Sequence, residues 1–139
     1  MSIKISKTTK DSIKDFDDKE WEKADRVHYG NNLWKSEKYY FKAVSDGNIV
    51  GTVSGDFESG TVYVKKLLSA EKMRSQGVGR LLLEKVEEYA KKMNAHKVWL
   101  QTGDDWKVNE FYNKMGYKIT ANHPKHYFKK NFVVYTKFL

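Results

Sequence analysis

The sequence predicts a mixed α/β (α+β) fold, one twisted and mostly antiparallel sheet flanked by helices. Three observations carry this expectation. Asp46-Gly47 separates two runs rich in β-formers, residues 40–45 and 49–57, and a pair tolerant of positive φ between such runs marks a hairpin. From Gly77 onward the hydrophobic period becomes helical, with Val78, Leu81, Leu82, Val86, Tyr89 and Met93 on one stripe. The element order is strand, helix, three-stranded meander, helix, strand, helix, two strands. It implies one sheet with helices on its faces and lacks the repeated strand-helix-strand units of a doubly wound dinucleotide fold.

Taken in order, Ile3 and Ile5 alternate with polar neighbours and read as a short strand. Residues 9–26, carrying Ile13, Phe16, Trp21 and Ala24, read as a charged helix. The helical pattern breaks at Tyr29-Gly30-Asn31-Asn32, so residues 29–38, including Trp34, are expected to form a loop or an irregular short helix. The hairpin strands come next, and a third strand, residues 61–68, follows Ser59-Gly60. The helix after Gly77 carries the four-apart pairs Glu87 with Lys91 and Glu88 with Lys92, and Asn94 suits its end. Residues 96–102 read as a strand. Asp104 or Asp105 is expected to cap a second helix with Val108, Phe111, Tyr112 and Met115 on one face, closed by Gly116. Strands at 117–121 and 127–138, joined by the loop 122–126, complete the chain.

A length of 139 residues supports one hydrophobic core, so 1–139 is expected to be a single domain. An apolar fraction of 40% with 14% aromatics excludes a disordered chain. No run approaches the ~18 apolar residues of a membrane span and the start lacks a secretory pattern, so a cytoplasmic protein with no membrane partner is expected. With no cysteine, a disulfide framework, a thiolate nucleophile and a cysteine-ligated zinc are excluded. The charge of +8 favours phosphorylated ligands, acidic proteins or nucleic acid. Nucleic acid is the weaker choice, since no recognised motif accompanies Lys125, Lys129 and Lys130 beside Tyr127 and Phe128. His123 and His126 lack a third ligand nearby, so no metal is expected.

Arg74-Ser75-Gln76-Gly77-Val78-Gly79 lies between the third meander strand and the strongest helix. Backbone N–H groups converging at a helix start make an anion site, glycine lets a phosphate approach closely, and Arg74 or Arg80 adds positive charge. A third dinucleotide glycine would fall at Leu82, and no Gly-Lys-Ser/Thr is present, so neither nucleotide-loop rival fits.

The segment resembles the acetyl-CoA signature of GNAT acetyltransferases: Arg or Gln, two residues, Gly, one residue, then Gly or Ala. Downstream, Phe111-Tyr112-Asn113-Lys114-Met115-Gly116-Tyr117 is similar to that family's Phe-Tyr, three residues, Gly, aromatic ending. The resemblance implies acetyl-CoA as cosubstrate and a GNAT-like domain with a bulged, splayed strand before the glycine loop. By position Leu67, Leu68 and Ser69 inherit the strand that binds the pantetheine arm through its backbone, although Ser69 stands where the family usually has Val and Glu71 where Pro is frequent. Arg74, Ser75, Gln76, Gly77, Val78, Gly79 and Arg80 inherit the phosphate loop. Asp105 occupies the place of a family Asn that contacts the cofactor. Asn109 could substitute for it, and capping by Asp105 is at least as good a reading.

Acetyl transfer to an amine needs a neutral nucleophile, a polarised thioester carbonyl and a proton for the departing thiolate. A thiol near ~8.5 can take its proton from a tyrosine near ~10. Tyr112 matches the family's general-acid tyrosine; the competing role is packing with Val108, Phe111 and Met115. The resemblance thus implies attack by a primary amine in a ternary complex. The alternatives are acetylation of a protein N-terminus or lysine and a non-catalytic acyl-CoA-binding regulator. The acceptor, a small molecule or a protein amine, is expected to meet Tyr29, Trp34 and His123. Thr61 stands where some relatives place a Glu, so no base is assigned, and Asp56 and Glu58 are weak candidates. A homodimer is compatible with these features.

Overall fold

The computed structural model describes residues 1–139, which divide into two compact units, Met1–Trp34 and Lys35–Leu139. In the first unit, helix α1 spans Lys10–Tyr29. The Thr9 side chain accepts from the Ser12 N–H at its start, and Gly30, at φ +67°, returns its N–H to the Arg26 carbonyl at 3.1 Å. Lys14–Asp18 and Glu22–Arg26 ion pairs run along it. The expected strand at Ile3 and Ile5 does not form, since residues 1–9 contain no regular element. Two isolated isoleucines without a paired neighbour strand cannot satisfy a strand's backbone.

The second unit is built on a six-stranded sheet of order β1-β2-β3-β4-β6-β5. The strands are β1 (Ser36–Ser45), β2 (Asn48–Glu58), β3 (Thr61–Ser69), β4 (Lys97–Gly103), β5 (Lys118–His123) and β6 (Phe132–Phe138). Only β3 and β4 run parallel. Asp46-Gly47 (φ +50° and +77°) and Ser59-Gly60 (φ +41° and +96°) turn the first two corners, as hairpins with positive φ at both turn positions require. The mixed α/β fold follows the expectation from pattern. The last loop does not, because β5 continues to His123 and β6 starts only at Phe132.

Helix α2, Val78–Lys92, packs on β1 through β4, burying Val78, Leu82, Leu83, Val86 and Ala90. The buried stripe is rotated from the expected one. Leu83 is fully buried and Leu81 is 55% exposed, because the 78, 82, 86, 90 row and its neighbour 83 face the sheet. Burying a Leu or Val contributes about 1.5–3 kcal/mol. Packing therefore anchors the helix whose N-terminus faces the site. Its far end closes as expected, with Asn94 in the left-handed region (φ +56°) and the Ala95 N–H bonded to the Ala90 carbonyl at 2.9 Å.

The feature that matters most is the junction of β3 with β4. Their register covers only Thr61–Tyr63 against Lys97–Trp99. Beyond it β3 carries one extra residue: Ser54 pairs with Lys66 and Gly55 with Val64, which leaves Lys65 as the bulge. The bulge bends β3 away from β4, and residues 64–69 keep an unpaired edge. Gly55 makes the bend possible. A Cβ there would overlap the Tyr63 carbonyl oxygen, which instead accepts a hydrogen bond from the Tyr39 hydroxyl at 2.8 Å.

Candidate active site

A cleft of about 510 Å³ opens beside this splayed edge, bounded by Leu67 and Ser69 of β3, the loop from Met73 to Gly77, the start of α2, and helix α3 (Asn109–Lys114). Leu67 and Ser69 face it because the bulge resets the alternation. Leu67 pairs with buried Val53, and Leu68, 60% exposed, turns to the opposite face. Leu68 can therefore contribute backbone only.

The loop is shaped for an anion. Gly77, at φ +80°, begins α2 with no side-chain cap. The first helical bond runs from the Leu81 N–H to the Gly77 carbonyl at 3.1 Å, so Val78, Gly79 and Arg80 enter the turn without helical acceptors. Ser75 (φ +73°) is also left-handed, an uncommon conformation for a non-glycine residue and one that turns the chain into the helix. Arg74, Arg80 and Lys114 bring three cationic side chains to the rim. Arg80 also pairs with Glu84 at 2.8 Å, an exposed pair of small energetic worth. Gln76 departs from expectation: it does not line the cleft, and its N–H is taken by the Met73 carbonyl at 3.1 Å.

Tyr112 lines the cleft from α3 with its ring 5.6 Å from Tyr135 and 5.3 Å from Phe111. Burial pushes its hydroxyl up to about 12, so it is a protonated donor at neutral pH. Its neighbours are spoken for. Tyr39 donates to the Tyr63 carbonyl, Tyr117 to Glu87 at 3.1 Å and Tyr135 to Asn109 at 2.6 Å, whereas the Tyr112 hydroxyl takes no protein partner. The hydroxyl oxygen itself is not sealed from solvent, so it opens into the cleft as a free donor.

Asn109 corrects the expectation of a cofactor contact. Its amide nitrogen donates to the Gly103 and Trp106 carbonyls and its oxygen accepts from Tyr135, so every group is used to seat α3. Neither Asp104 nor Asp105 caps the helix, because it starts later than expected, at Asn109, with Val108 at the cap position and no side-chain cap. Met73, Phe111, Lys114 and Met115 line the cleft although no role was read for them there. Phe111 and Met115 were legible as the apolar face of α3. Met73 and Lys114 carried no signal.

The expected acceptor residues fall in different units of the chain. Tyr29 and Trp34 belong to the first unit, with ring centroids 6.1 Å apart. His123 ends β5, its Nδ1 2.9 Å from the Gln101 amide oxygen and its ring 4.8 Å from His126. Asp56 is ion-paired with Lys38 at 3.0 Å. No group of three or more His, Cys, Asp or Glu side chains gathers in metal-holding geometry, and no helix is long and apolar enough to cross a membrane.

The chain belongs to the acetyltransferase (GNAT) family, whose profile matches residues 7–117. No curated protein matches the sequence significantly. Among solved structures, an acetyltransferase from Bacillus cereus ATCC 14579 is 21% identical over 99% of this chain and 98% of its own, with a TM-score of 0.81. A GNAT family acetyltransferase from Elizabethkingia anophelis, solved with acetyl-CoA bound, is 22% identical over 73% of this chain and 76% of its own, at 0.69. Ard1 from Thermoplasma volcanium is 21% identical over 96% and 82% of the two chains, at 0.66. At these identities the likeness is one of fold.

Proposed function

We propose that the chain, acting as one acetyltransferase domain over residues 1–139, transfers an acetyl group from acetyl-CoA to a primary amine by direct attack in a ternary complex, with Tyr112 as general acid. The observation that carries this reading is the unpartnered Tyr112 hydroxyl in a cleft that begins at an uncapped helix N-terminus. The residues suit the cosubstrate part by part. The N–H groups at the start of α2, with Arg74, Arg80 and Lys114, match a pyrophosphate in charge and geometry. Leu67, Met73, Phe111 and Met115 give the pantetheine arm an apolar wall, and the open edge of β3 offers it backbone hydrogen bonds in the manner of an added strand. When bound, acetyl-CoA supplies the thioester carbonyl. Tyr112 holds the proton that the departing thiolate needs, and His123 lies on the acceptor side.

Acetyl-CoA should stabilise the protein by RT ln(1 + [L]/Kd), about 2.7 kcal/mol at a hundredfold excess over Kd, and CoA should act likewise. A panel of primary amines assayed for thiol release then identifies the acceptor. An unchanged melting curve at millimolar acetyl-CoA would remove cosubstrate binding, and with it the proposal.

A further inference from the structure

On the sheet face turned away from α2, three polar side chains join where β3 and β4 part. Tyr63 is the last β3 residue paired to β4, opposite Trp99, and the two rings lie 4.2 Å apart. Tyr63, Trp99 and Gln101 alternate with the core residues Val62, Val98 and Leu100, so all three lie on this face. The Gln101 amide nitrogen donates to the Tyr63 hydroxyl at 3.1 Å, which turns its oxygen toward His123 Nδ1 at 2.9 Å. An amide oxygen only accepts. Nδ1 therefore carries the hydrogen, and the neutral ring keeps its lone pair on Nε2, which has no protein partner. His123 pairs across the sheet with Phe132 and packs beside His126, so the ring is held in place.

We propose that His123 Nε2 is the base that takes a proton from the acceptor ammonium, with Gln101 as the positioning residue that fixes the tautomer. This rests on the acetyl-transfer reading above. A thioester laid along the open edge of β3 has the α2 and α3 layer, with Tyr112, on one side and the Tyr63–Gln101–His123 chain on the other. The amine approaches from the second side. An N–H bond of the ammonium breaks, its electron pair stays on nitrogen, and the proton goes to Nε2 and on to solvent. The freed pair forms the C–N bond, the C–S bond breaks, and the thiolate takes the Tyr112 proton. The second proton lost by nitrogen restores Tyr112. Of the two carboxylates considered for the role, Asp56 is held by Lys38, and Glu58 sits opposite Thr61, at the end of β3 away from Leu67 and Ser69.

The test compares benzylamine, an ammonium ion at neutral pH, with aniline, already a free amine. For His123→Gln, kcat/KM with benzylamine should fall about 10²- to 10⁴-fold, while aniline loses about tenfold or less because it needs no deprotonation before attack. Equal losses with the two amines overturn the proposal. Gln101→Leu should lower the benzylamine rate and Gln101→Glu, which keeps an acceptor oxygen, should restore part of it. Nitrogen-15 spectra of the histidine-labelled wild type should show the Nδ1–H tautomer for His123, lost in Gln101→Leu. An Nε2–H tautomer refutes the base assignment, even where neither amine is turned over. Calorimetry separates the two failures: if acetyl-CoA does not bind the wild type, the acetyl-transfer reading falls; if it binds and the amine contrast is absent, only the base does.

Discussion

Replacing Tyr112 by Phe removes one oxygen from a ring that is 7% exposed and touches Phe111, Tyr117 and Tyr135 through its edge and face. The hydroxyl has no protein partner, so its loss orphans no donor or acceptor, and stability should change by less than about 0.5 kcal/mol. Turnover should behave differently. A positioned general acid contributes about 10²- to 10⁴-fold, which is ~2.7–5.5 kcal/mol of barrier. A group held up to about 12 is protonated below that pH, so ionisation of Tyr112 should impose no alkaline decline of kcat between about pH 7 and 10. The assay is thiol release from acetyl-CoA at saturating acceptor, with acetyl-CoA binding to wild type and variant measured by calorimetry. If Tyr112→Phe keeps kcat within about threefold of wild type at unchanged acetyl-CoA affinity, the ring is a packing element and the proton comes from elsewhere.

Gly55→Ala should destabilise by about 3 kcal/mol in a denaturant titration, since the new Cβ would overlap the Tyr63 carbonyl and lie 2.6 Å from the Tyr39 hydroxyl. Gly79→Ala is its contrast: the added carbon meets only Phe111 at 3.6 Å, and stability should hold or rise by up to about 1 kcal/mol. Asn109→Ala leaves the Gly103 and Trp106 carbonyls with their backbone donors but strands the Tyr135 hydroxyl, and should cost about 1–2 kcal/mol in the same titration, with Asn109→Asp, which still accepts from Tyr135, losing less. Stability should also fall in alkali. The Tyr112 pKa is raised above the unfolded ~10, so its contribution is complete below about pH 10 and lost as pH rises toward 12, worth at most about 3 kcal/mol. Burial raises Tyr39 and Tyr117 in the same direction. Unfolding midpoints at about pH 9 and pH 11 measure the slope, which should flatten in Tyr112→Phe.

Much of the site was readable because it is local. The glycine loop, the onset of the α2 stripe and Tyr112 with its flanking Phe111 and Gly116 fall within short segments whose letters set backbone and side-chain direction together. What could not be read depends on partners far along the chain. Leu81 and Leu83 differ by two positions on a helix, and only the sheet beneath decides which is buried. Asn109 looked like a ligand-binding amide until Gly103, Trp106 and Tyr135 arrived around it. The Tyr63–Gln101–His123 chain draws on three strands, each contributing an unremarkable polar residue. Ile3 and Ile5 had the right alternation for a strand and no neighbour to pair with.

The single extra residue at Lys65 separates two kinds of mutational tolerance. Its side chain is exposed, so nearly any substitution there should pass unnoticed. Deleting it is another matter. Val64 opposite Gly55 and Lys66 opposite Ser54 would become successive pairs of a regular ladder, Leu67 and Ser69 would keep their face, and the edge left open by β3 would lose its bend and be drawn back toward β4. Position 65 is thus informative by its presence and silent in its identity. A substitution scan would score it as neutral and a deletion scan as essential, so comparing the two across β3 would locate the bulge without a structure.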